Sequence, residues 1–327
     1  MRILLWHVHG SWTTSFVQGG HTYLLPTTPE GGPWGRGRCG RNWPATVHDV
    51  PAERLRDSAV DLVLLQRPEE LALAAAWLGR RPGIDVPAVY VEHNTPRGDV
   101  PDTRHPLAGR GDIPLVHVTH FNRLLWDNGR APVTVIEHGI PDPGHRYTGE
   151  LPRAAVVTNE PVRRWRTTGT DLFAGLAAAA PLDVFGMGLD ELAARTGIGP
   201  ERLTAVGDLG HERLHDELAR RRVYLHTTRW TSLGLSLLEA MHLGMPVVAL
   251  ASTEVPAAVP PDAGVVSADP MVLACAVRRF VADPSLAAEF GTRAREHALE
   301  NYALSTFSRS WDDLLTESIH ESGVAAP

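Results

Sequence analysis

The chain has 327 residues, 43% of them hydrophobic and 21% charged, which is long enough for two folded domains and too apolar for a disordered protein. Its formal net charge of −7 excludes a general electrostatic attraction to nucleic acid or to an anionic membrane surface. All 31 of its Lys and Arg residues are arginine, which also excludes Schiff-base chemistry on lysine.

Cysteine usage and the start of the chain predict the compartment. Cys39 and Cys275 lie far apart in the sequence, which fits a reducing cytoplasm better than a disulfide scaffold. The opening stretch MRILLWHVHG has too short an apolar run for the core of a signal peptide, and no apolar run reaches the length of a membrane span. We therefore expect a cytoplasmic protein without stable membrane anchoring.

Short apolar runs alternate with helical patterns through the first half of the chain. Near-continuous apolar runs of this kind are typical of parallel strands that are buried on both faces. The strands predicted in this half are residues 2–8, 60–66, 87–93, 114–119 and 133–139. Residues 26–44 are rich in Gly and Pro and have no periodicity, so we predict a long loop there.

A segment rich in Pro and Gly, residues 141–152, is predicted to link two domains. After it the alternation begins again, with amphipathic helices between most of the strands. The strands predicted in the second half are residues 153–159, 181–188, 202–208, 223–228, 245–251 and 263–269. We therefore predict an α/β protein with two Rossmann-like domains that face a central cleft.

The stretch GHERLHDELARRR, residues 210–222, contains the His-Glu-x-x-His spacing of zinc metalloproteases. On a helix, His211 and His215 share one face and could bind zinc, with Glu212 as the general base. The surrounding residues are strongly charged, however, and leave only a narrow apolar stripe, as is typical of a surface helix. We predict a solvated helix here and keep a zinc hydrolase as an alternative.

The stretch TTRWTSLGLSLLEAMHLGMPVVALASTEVPAAV, residues 227–259, resembles the retaining glycosyltransferases of family 4, which have the GT-B fold. The residues of the family's pattern that are in place are Gly234, Glu239, Ala240, Gly244, Pro246 and Ala249. The resemblance covers about residues 150–325 and is only generic over 1–149. It implies an acceptor-side domain of residues 1–149, which the C-terminal helix rejoins by crossing back at about 306–327, and a donor-binding domain of residues 150–305.

The resemblance also implies which residues bind the donor. Around the start of the 235–242 helix, backbone N–H groups would face a diphosphate. The donor-binding residues there are Thr231, Ser232, Leu233, Gly234, Leu235 and Ser236. Glu239 would accept hydrogen bonds from the ribose. Thr231 replaces the family's first Glu and has no charge, so a pseudo-glycosyltransferase that only binds nucleotide sugars remains an alternative.

Further site residues follow from the same resemblance. The family uses an Arg and a Lys to stabilise the leaving diphosphate. At that place this chain has Arg163, Arg164 and Arg166 and no lysine. In the first half, His93 would touch the donor sugar or the acceptor. Gly19 and Gly20 would form a glycine-rich loop near the diphosphate.

The resemblance thus implies a metal-independent, retaining glycosyltransferase of the hexosyltransferase type. It would move a sugar from a nucleoside-diphosphate sugar, its co-substrate, to a hydroxyl of a small-molecule or glycan acceptor. No cofactor, metal or nucleic-acid partner is implied. A nicotinamide dehydrogenase is disfavoured, because no Gly-x-Gly-x-x-Gly follows the first strand of either half.

Overall fold

The computed structural model describes residues 1–321 of the chain. The chain divides into two units: unit 1 comprises Met1–Gly139 and the segment from Leu304 onward, and unit 2 comprises Ile140–Ala303. The sequence predicts these divisions after residue 149 and near residue 305. The end of the predicted crossing segment, 322–327, lies outside the described residues.

Unit 1 is built on a parallel sheet of seven strands in the order β3-β2-β1-β4-β5-β6-β7. Its strands are β1 (Arg2–Leu5), β2 (Thr22–Thr27), β3 (Val47–Pro51), β4 (Leu62–Leu65), β5 (Ala88–Glu92), β6 (Leu115–His117) and β7 (Val133–Val135). Its helices are α1 (Gly10–Phe16), α2 (Glu70–Leu78), α3 (His120–Leu125), α11 (Leu304–Glu321) and a 3-10 helix at Ala52–Asp57.

The strands β2 and β3 were not expected from the sequence. Strand β2 contains Pro26, and β3 is an edge strand with exposed His48 and Asp49 that ends at Pro51. The apolar run in β2 comprises only residues 23–25 and ends at Pro26, beyond the residues that pair with β1, and β3 is solvated at the edge of the sheet. The predicted loop 26–44 therefore begins inside β2.

Helix α11 completes the core of unit 1. Its buried face includes Phe307, Trp311 and Leu315. The ring of Trp311 packs edge-on against Trp12 of α1, with centroids 5.7 Å apart, and against Phe16, with centroids 5.1 Å apart. Edge-to-face pairs of this kind are favourable beyond the apolar area that they bury. The first and last helices of the chain thus share one aromatic core.

Unit 2 is built on a parallel sheet of six strands in the order β10-β9-β8-β11-β12-β13. Its strands are β8 (Leu151–Val157), β9 (Leu182–Phe185), β10 (Leu203–Gly207), β11 (Arg221–His226), β12 (Val247–Leu250) and β13 (Gly264–Ser267). Its helices are α4 (Phe173–Ala177), α5 (Leu192–Thr196), α6 (His211–Ala219), α7 (Leu235–Leu243), α8 (Val255–Ala258), α9 (Pro270–Ala282) and α10 (Pro284–Asn301), with a 3-10 helix at Thr170–Leu172.

The predicted linker is an ordered part of unit 2. The backbone N–H groups of Arg146 and Tyr147 donate to the carbonyl of Leu243 at 3.1 and 3.0 Å, and the Tyr147 hydroxyl donates to the carbonyl of Arg222 at 2.8 Å. The segment is therefore hydrogen-bonded to the rest of unit 2, although its Pro and Gly content predicts a linker.

Each of the eleven apolar runs predicted as strands overlaps a strand of one of the two sheets. Both sheets are parallel and doubly wound, so the prediction of two Rossmann-like α/β domains is confirmed. Within residues 1–321, no helix has both the length and the apolar content that a membrane span requires.

Candidate functional site

Each sheet has one point at which the strand order reverses, and Rossmann-like domains bind ligands at the carboxyl ends of the strands there. In unit 2 this point lies between the paired strands β8 and β11. The loop after β8 carries Arg163, Arg164 and Arg166, and the loop after β11 leads into α7. Both predicted donor-binding segments therefore lie at one edge of the sheet.

Arg229 ties these two loops together. Its guanidinium donates to both carboxylate oxygens of Asp171, at 2.5 and 2.9 Å, and to the backbone carbonyl of Arg166 at 2.8 Å. Burial acts to raise the pKa of Asp171, but the hydrogen bond from Arg229 and the two arginine charges outweigh it and lower that pKa. Arg229 is not among the site residues predicted from the sequence, where its only signal is a cation two residues before Thr231.

The predicted arginines differ in exposure. The side chain of Arg163 is 72% exposed and its Nε donates to Glu160 at 2.6 Å. The side chain of Arg166 is 74% exposed and its Nη1 donates to Asp171 at 2.6 Å. Arg164 is half-buried. Because an exposed ion pair contributes at most about 1 kcal/mol, an anionic ligand can displace Glu160 from Arg163. Asp171 is only 19% exposed and is also held by Arg229.

Helix α7 begins without a side-chain cap on its first N–H groups. Its N-cap is Gly234, which provides no side-chain hydrogen bond. A side chain there would also collide, because a Cβ on Gly234 would lie 2.6 Å from Cε1 of His226. Open N–H groups at the start of a helix attract anions.

The residues around the start of α7 are partly or fully buried, and one of them makes a side-chain hydrogen bond to β11. Ser232 and Leu233 are buried, whereas Thr231 and Leu235 are half-buried. The hydroxyls of Ser236 and Tyr224 share a hydrogen bond of 2.9 Å. The six consecutive residues 231–236 thus form the loop before α7 and the start of its first turn, and Glu239 follows in the next turn.

Buried His226 lies beneath the start of α7. Its ring stacks on Tyr224, with centroids 6.4 Å apart, and burial lowers its pKa to about 4. The ring is therefore neutral at pH 7 and adds no charge to the edge of the sheet.

Glu239 is 6% exposed and lies on the buried side of α7. Its Oε2 is 3.5 Å from Nε2 of His215 on the neighbouring helix α6. A carboxylate can accept up to four hydrogen bonds, so Glu239 can accept from two vicinal hydroxyls of a ribose.

The His-Glu-x-x-His motif forms the first turns of α6. His211, His215 and Glu239 each offer a ligand atom within 4.8 Å of the other two. Glu212 is not part of this group: its side chain is 78% exposed and pairs with Arg146 at 2.9 Å. The hydrogen bond from Arg146 lowers the pKa of Glu212. The zinc-hydrolase alternative is disfavoured, because its general base is held at the surface by an arginine.

Two residues at this edge have strained backbones. Glu160, in the loop after β8, has φ 54°, and Thr253, in the loop after β12, has φ 50°. For residues other than glycine, such conformations cost about 1–3 kcal/mol each and cluster at functional sites. The strain supports assigning a ligand to this edge of the sheet.

Buried histidines line the corresponding edge of unit 1, near the strand reversal between β1 and β4. Nε2 of His93 lies 3.0 Å from Oε1 of Gln66, and the rings of His93 and His9 are 4.1 Å apart. Burial places the pKa of His93 well below its usual range and lowers that of His138 to about 4. These neutral rings suit hydrogen bonds to hydroxyls better than binding of phosphate.

Gly19 and Gly20 lie at the opposite edge of the unit 1 sheet from His93. They precede β2, whose first residue Thr22 pairs with Arg2 at the start of β1. A Cβ on Gly19 would lie 2.5 Å from the hydroxyl of Tyr23, so this glycine allows a close internal contact. Within unit 1, the structure does not bring the glycine pair together with His93.

Residues 188–297 match the model of the family described as glycosyl transferases group 1. The matched region contains α6, the loop after β11 and α7. No curated protein matches the chain significantly.

Solved structures match almost the whole chain. Sucrose-phosphate synthase from Thermosynechococcus elongatus is 16% identical, with 98% of this chain and 100% of that chain covered and a TM-score of 0.69. Anabaena HepE in complex with UDP-glucose is 17% identical, with 97% and 100% covered and a TM-score of 0.71. A glycosyltransferase from Rickettsia africae is 13% identical, with 97% and 98% covered and a TM-score of 0.73. These neighbours show that the chain has the GT-B fold.

Proposed function

We propose that the protein is a retaining, metal-independent glycosyltransferase that moves a sugar from a nucleoside-diphosphate sugar to a hydroxyl acceptor. The observation that carries the proposal is the edge of the unit 2 sheet, where the start of α7, an arginine loop and a buried glutamate lie together. The family match over residues 188–297 and the UDP-glucose complex of HepE support this class of donor.

In this proposal, each group binds one part of the donor. The diphosphate lies against the N–H groups that follow Gly234, with Arg163 and Arg166 replacing their carboxylate partners by phosphate oxygens. The ribose hydroxyls donate to Glu239. The hydroxyl of Thr231 bonds the sugar without the charge of the family's carboxylate.

The reaction breaks the bond between the anomeric carbon and the diphosphate oxygen, and the electron pair leaves with the diphosphate. The loop arginines and the α7 N–H groups stabilise the charge that develops there. The acceptor oxygen attacks the same face of the sugar and passes its proton to the departing phosphate oxygen. The products are a retained glycoside and a nucleoside diphosphate. In unit 1, neutral His93 bonds a hydroxyl of the sugar or the acceptor.

Thr231 also favours a second candidate, a protein that binds nucleotide sugars without transferring the sugar. A hydroxyl has less electrostatic effect on a developing oxocarbenium ion than a carboxylate does. Location in the cytoplasm remains a prediction for either candidate.

The test is a thermal-shift screen of the full chain against UDP, GDP, ADP, CDP and dTDP, followed by calorimetry. Glu239→Gln should weaken binding of the best diphosphate at least tenfold, because a hydrogen bond to a charged group contributes roughly 1.5–3 kcal/mol. The matched control is Glu289→Gln, an exposed carboxylate on α10 of the same unit.

Three results distinguish the candidates. Transfer of sugar from the matching donor supports the enzyme. Tight diphosphate binding with neither transfer nor hydrolysis across a donor panel supports the binding protein. A chain that responds to none of the five diphosphates rules out both.

A further inference from the structure

Three side chains of unit 2 form a cluster, and only one of them, Glu239, has a role in the proposed function. His211 and His215 lie one turn apart on α6, and Glu239 projects from the adjacent helix α7. The imidazole rings of the two histidines are 4.1 Å apart, centroid to centroid. The ligand atoms of all three residues lie within 4.8 Å of one another.

The spacing of these atoms approaches that of a metal site. With bonds of about 2.0–2.2 Å, two ligands of a tetrahedral zinc ion lie roughly 3.4 Å apart. Nε2 of His215 and Oε2 of Glu239 are 3.5 Å apart, close to that value before any ion binds. The third ligand atom, from exposed His211, lies within 4.8 Å of the other two, so this side chain would have to move closer to complete the set.

The chemistry of His215 supports a ligand at this position. The residue is 1% exposed, and neither of its ring nitrogens has a hydrogen-bond partner among residues 1–321. Buried polar atoms usually have such partners, since leaving one unpaired costs about 1–3 kcal/mol. A metal ion bound to Nε2 would give a partner to one of these two ring nitrogens.

We propose that His211, His215 and Glu239 bind one divalent transition-metal ion of the zinc class, and that this ion competes with the nucleotide for Glu239. Two imidazoles and one carboxylate suit Zn²⁺ and its neighbours, whereas Mg²⁺ and Ca²⁺ prefer oxygen ligands. The competition rests on the proposed function, but metal binding alone does not.

The ion would inhibit the proposed reaction rather than catalyse it. Glu239 cannot give the same oxygen atoms to a metal ion and to a ribose. Glu212, the base that a hydrolase would need, is held by Arg146. Because Nδ1 of His215 has no acceptor among the described residues, we expect an affinity about 10–100-fold below that of zinc sites with a complete second shell.

The first test is calorimetric titration of the metal-free, tag-free full chain with Zn²⁺ and, separately, Mg²⁺. The background carries Cys39→Ser and Cys275→Ser, because both thiols are exposed and thiolates bind zinc. His211→Ala should weaken zinc binding at least about 100-fold, the upper end of what loss of a second-shell partner costs. It should fold normally because the position is exposed.

His297→Ala, which removes a histidine of α10 outside the cluster, is the matched control and should keep the wild-type affinity. Zinc binding that survives His211→Ala, the absence of a saturable zinc site, or equal affinity for Mg²⁺ would overturn the metal site.

The second test measures the affinity for UDP, or for the diphosphate with the largest thermal shift, with and without zinc. At a zinc concentration ten times its own dissociation constant, competition raises the apparent nucleotide Kd about 11-fold. In His211→Ala the same zinc concentration should change it little, and this comparison corrects for zinc that binds the diphosphate in solution.

The failures are distinguishable. If zinc binds and the nucleotide affinity stays constant, the competition is wrong and the metal site stands. If zinc binds and none of the five diphosphates does, the proposed function fails and the metal site stands.

Discussion

At the scale of single residues, the start of α7 depends on the lack of a side chain at position 234. The N-cap glycines Gly234 and Gly210 begin two neighbouring helices with extended ψ angles, but only Gly234 faces a buried ring. A Cβ at Gly234 would lie 2.6 Å from His226, whereas one at Gly210 would have no neighbour within 4 Å. The two glycines therefore form a matched pair.

We expect Gly234→Ala to reduce the free energy of unfolding by roughly 1–3 kcal/mol more than Gly210→Ala does, because His226 or the helix must shift. Both variants lose the same N-cap preference for glycine over alanine. The difference between their free energies of unfolding therefore measures the cost of the collision with His226. Urea denaturation of the two variants measures it. Equal losses would show that His226 moves aside without cost.

The positions of site residues were predictable where a short local pattern specified them. Glu239 and the helix start follow from a short motif, and the structure brings them to one edge of the sheet. Arg229 was missed because its role depends on Asp171, 58 residues earlier in the chain. The sequence predicts Gly19 and Gly20 in the site from glycine content and the resemblance alone, and a glycine looks the same in sequence whether it approaches a ligand or, as Gly19 does, a neighbouring tyrosine.

At the scale of elements, α10 and the end of α7 approach each other through two glycines. A Cβ on Gly291 of α10 would fall well inside van der Waals contact with the carbonyl oxygen of Gly244, which ends α7 with φ 89°. The buried position leaves no room for a methyl group.

Gly291→Ala is expected to destabilise unit 2 by about 1–3 kcal/mol, because backbone cannot move away as a side chain can. Gly175→Ala, at an exposed position of α4 with no atom within 4 Å of the added Cβ, should instead stabilise it by about 0.5–1 kcal/mol. Thermal unfolding shows whether each variant is less or more stable than the wild type. A stabilising Gly291→Ala would contradict the close packing of α7 and α10.

Elements were predictable in proportion to their burial. All four residues of strand β4 are buried, and its apolar run predicts a strand. Strand β3 has one buried residue and two exposed ones, so its pattern resembles a loop. The segment 141–152 is predicted to be a linker because proline and glycine mark a break in regular structure, and they do not reveal that its backbone bonds to Leu243.

At the scale of the whole molecule, each unit contains a buried histidine that resists protonation. Burial lowers the pKa of His138 in unit 1 and of His226 in unit 2 to about 4. In the unfolded chain a histidine binds a proton near pH 6.5, so the unfolded state gains protons first as the pH falls. Acidification therefore lowers the free energy of unfolding.

We expect this loss to begin near pH 6.5, to reach on the order of 3 kcal/mol per histidine near pH 4, and to be absent above pH 7. His226→Leu removes one titrating group and should reduce the slope of unfolding free energy against pH between 6.5 and 4. Denaturant unfolding at several pH values measures the slope. An unchanged slope in the variant would mean that His226 is protonated as readily in the folded chain as in the unfolded one.

Unit 2 is an insertion within unit 1, and its two ends are adjacent: the N–H of Ile140 donates to the carbonyl of Tyr302 at 2.9 Å. During translation, this inserted region has emerged completely once residue 303 leaves the ribosome. The earlier-synthesised region must wait for Trp311 before its aromatic core can close. Unit 2 can thus complete its fold before unit 1 does, although the first residues of unit 1 are made first.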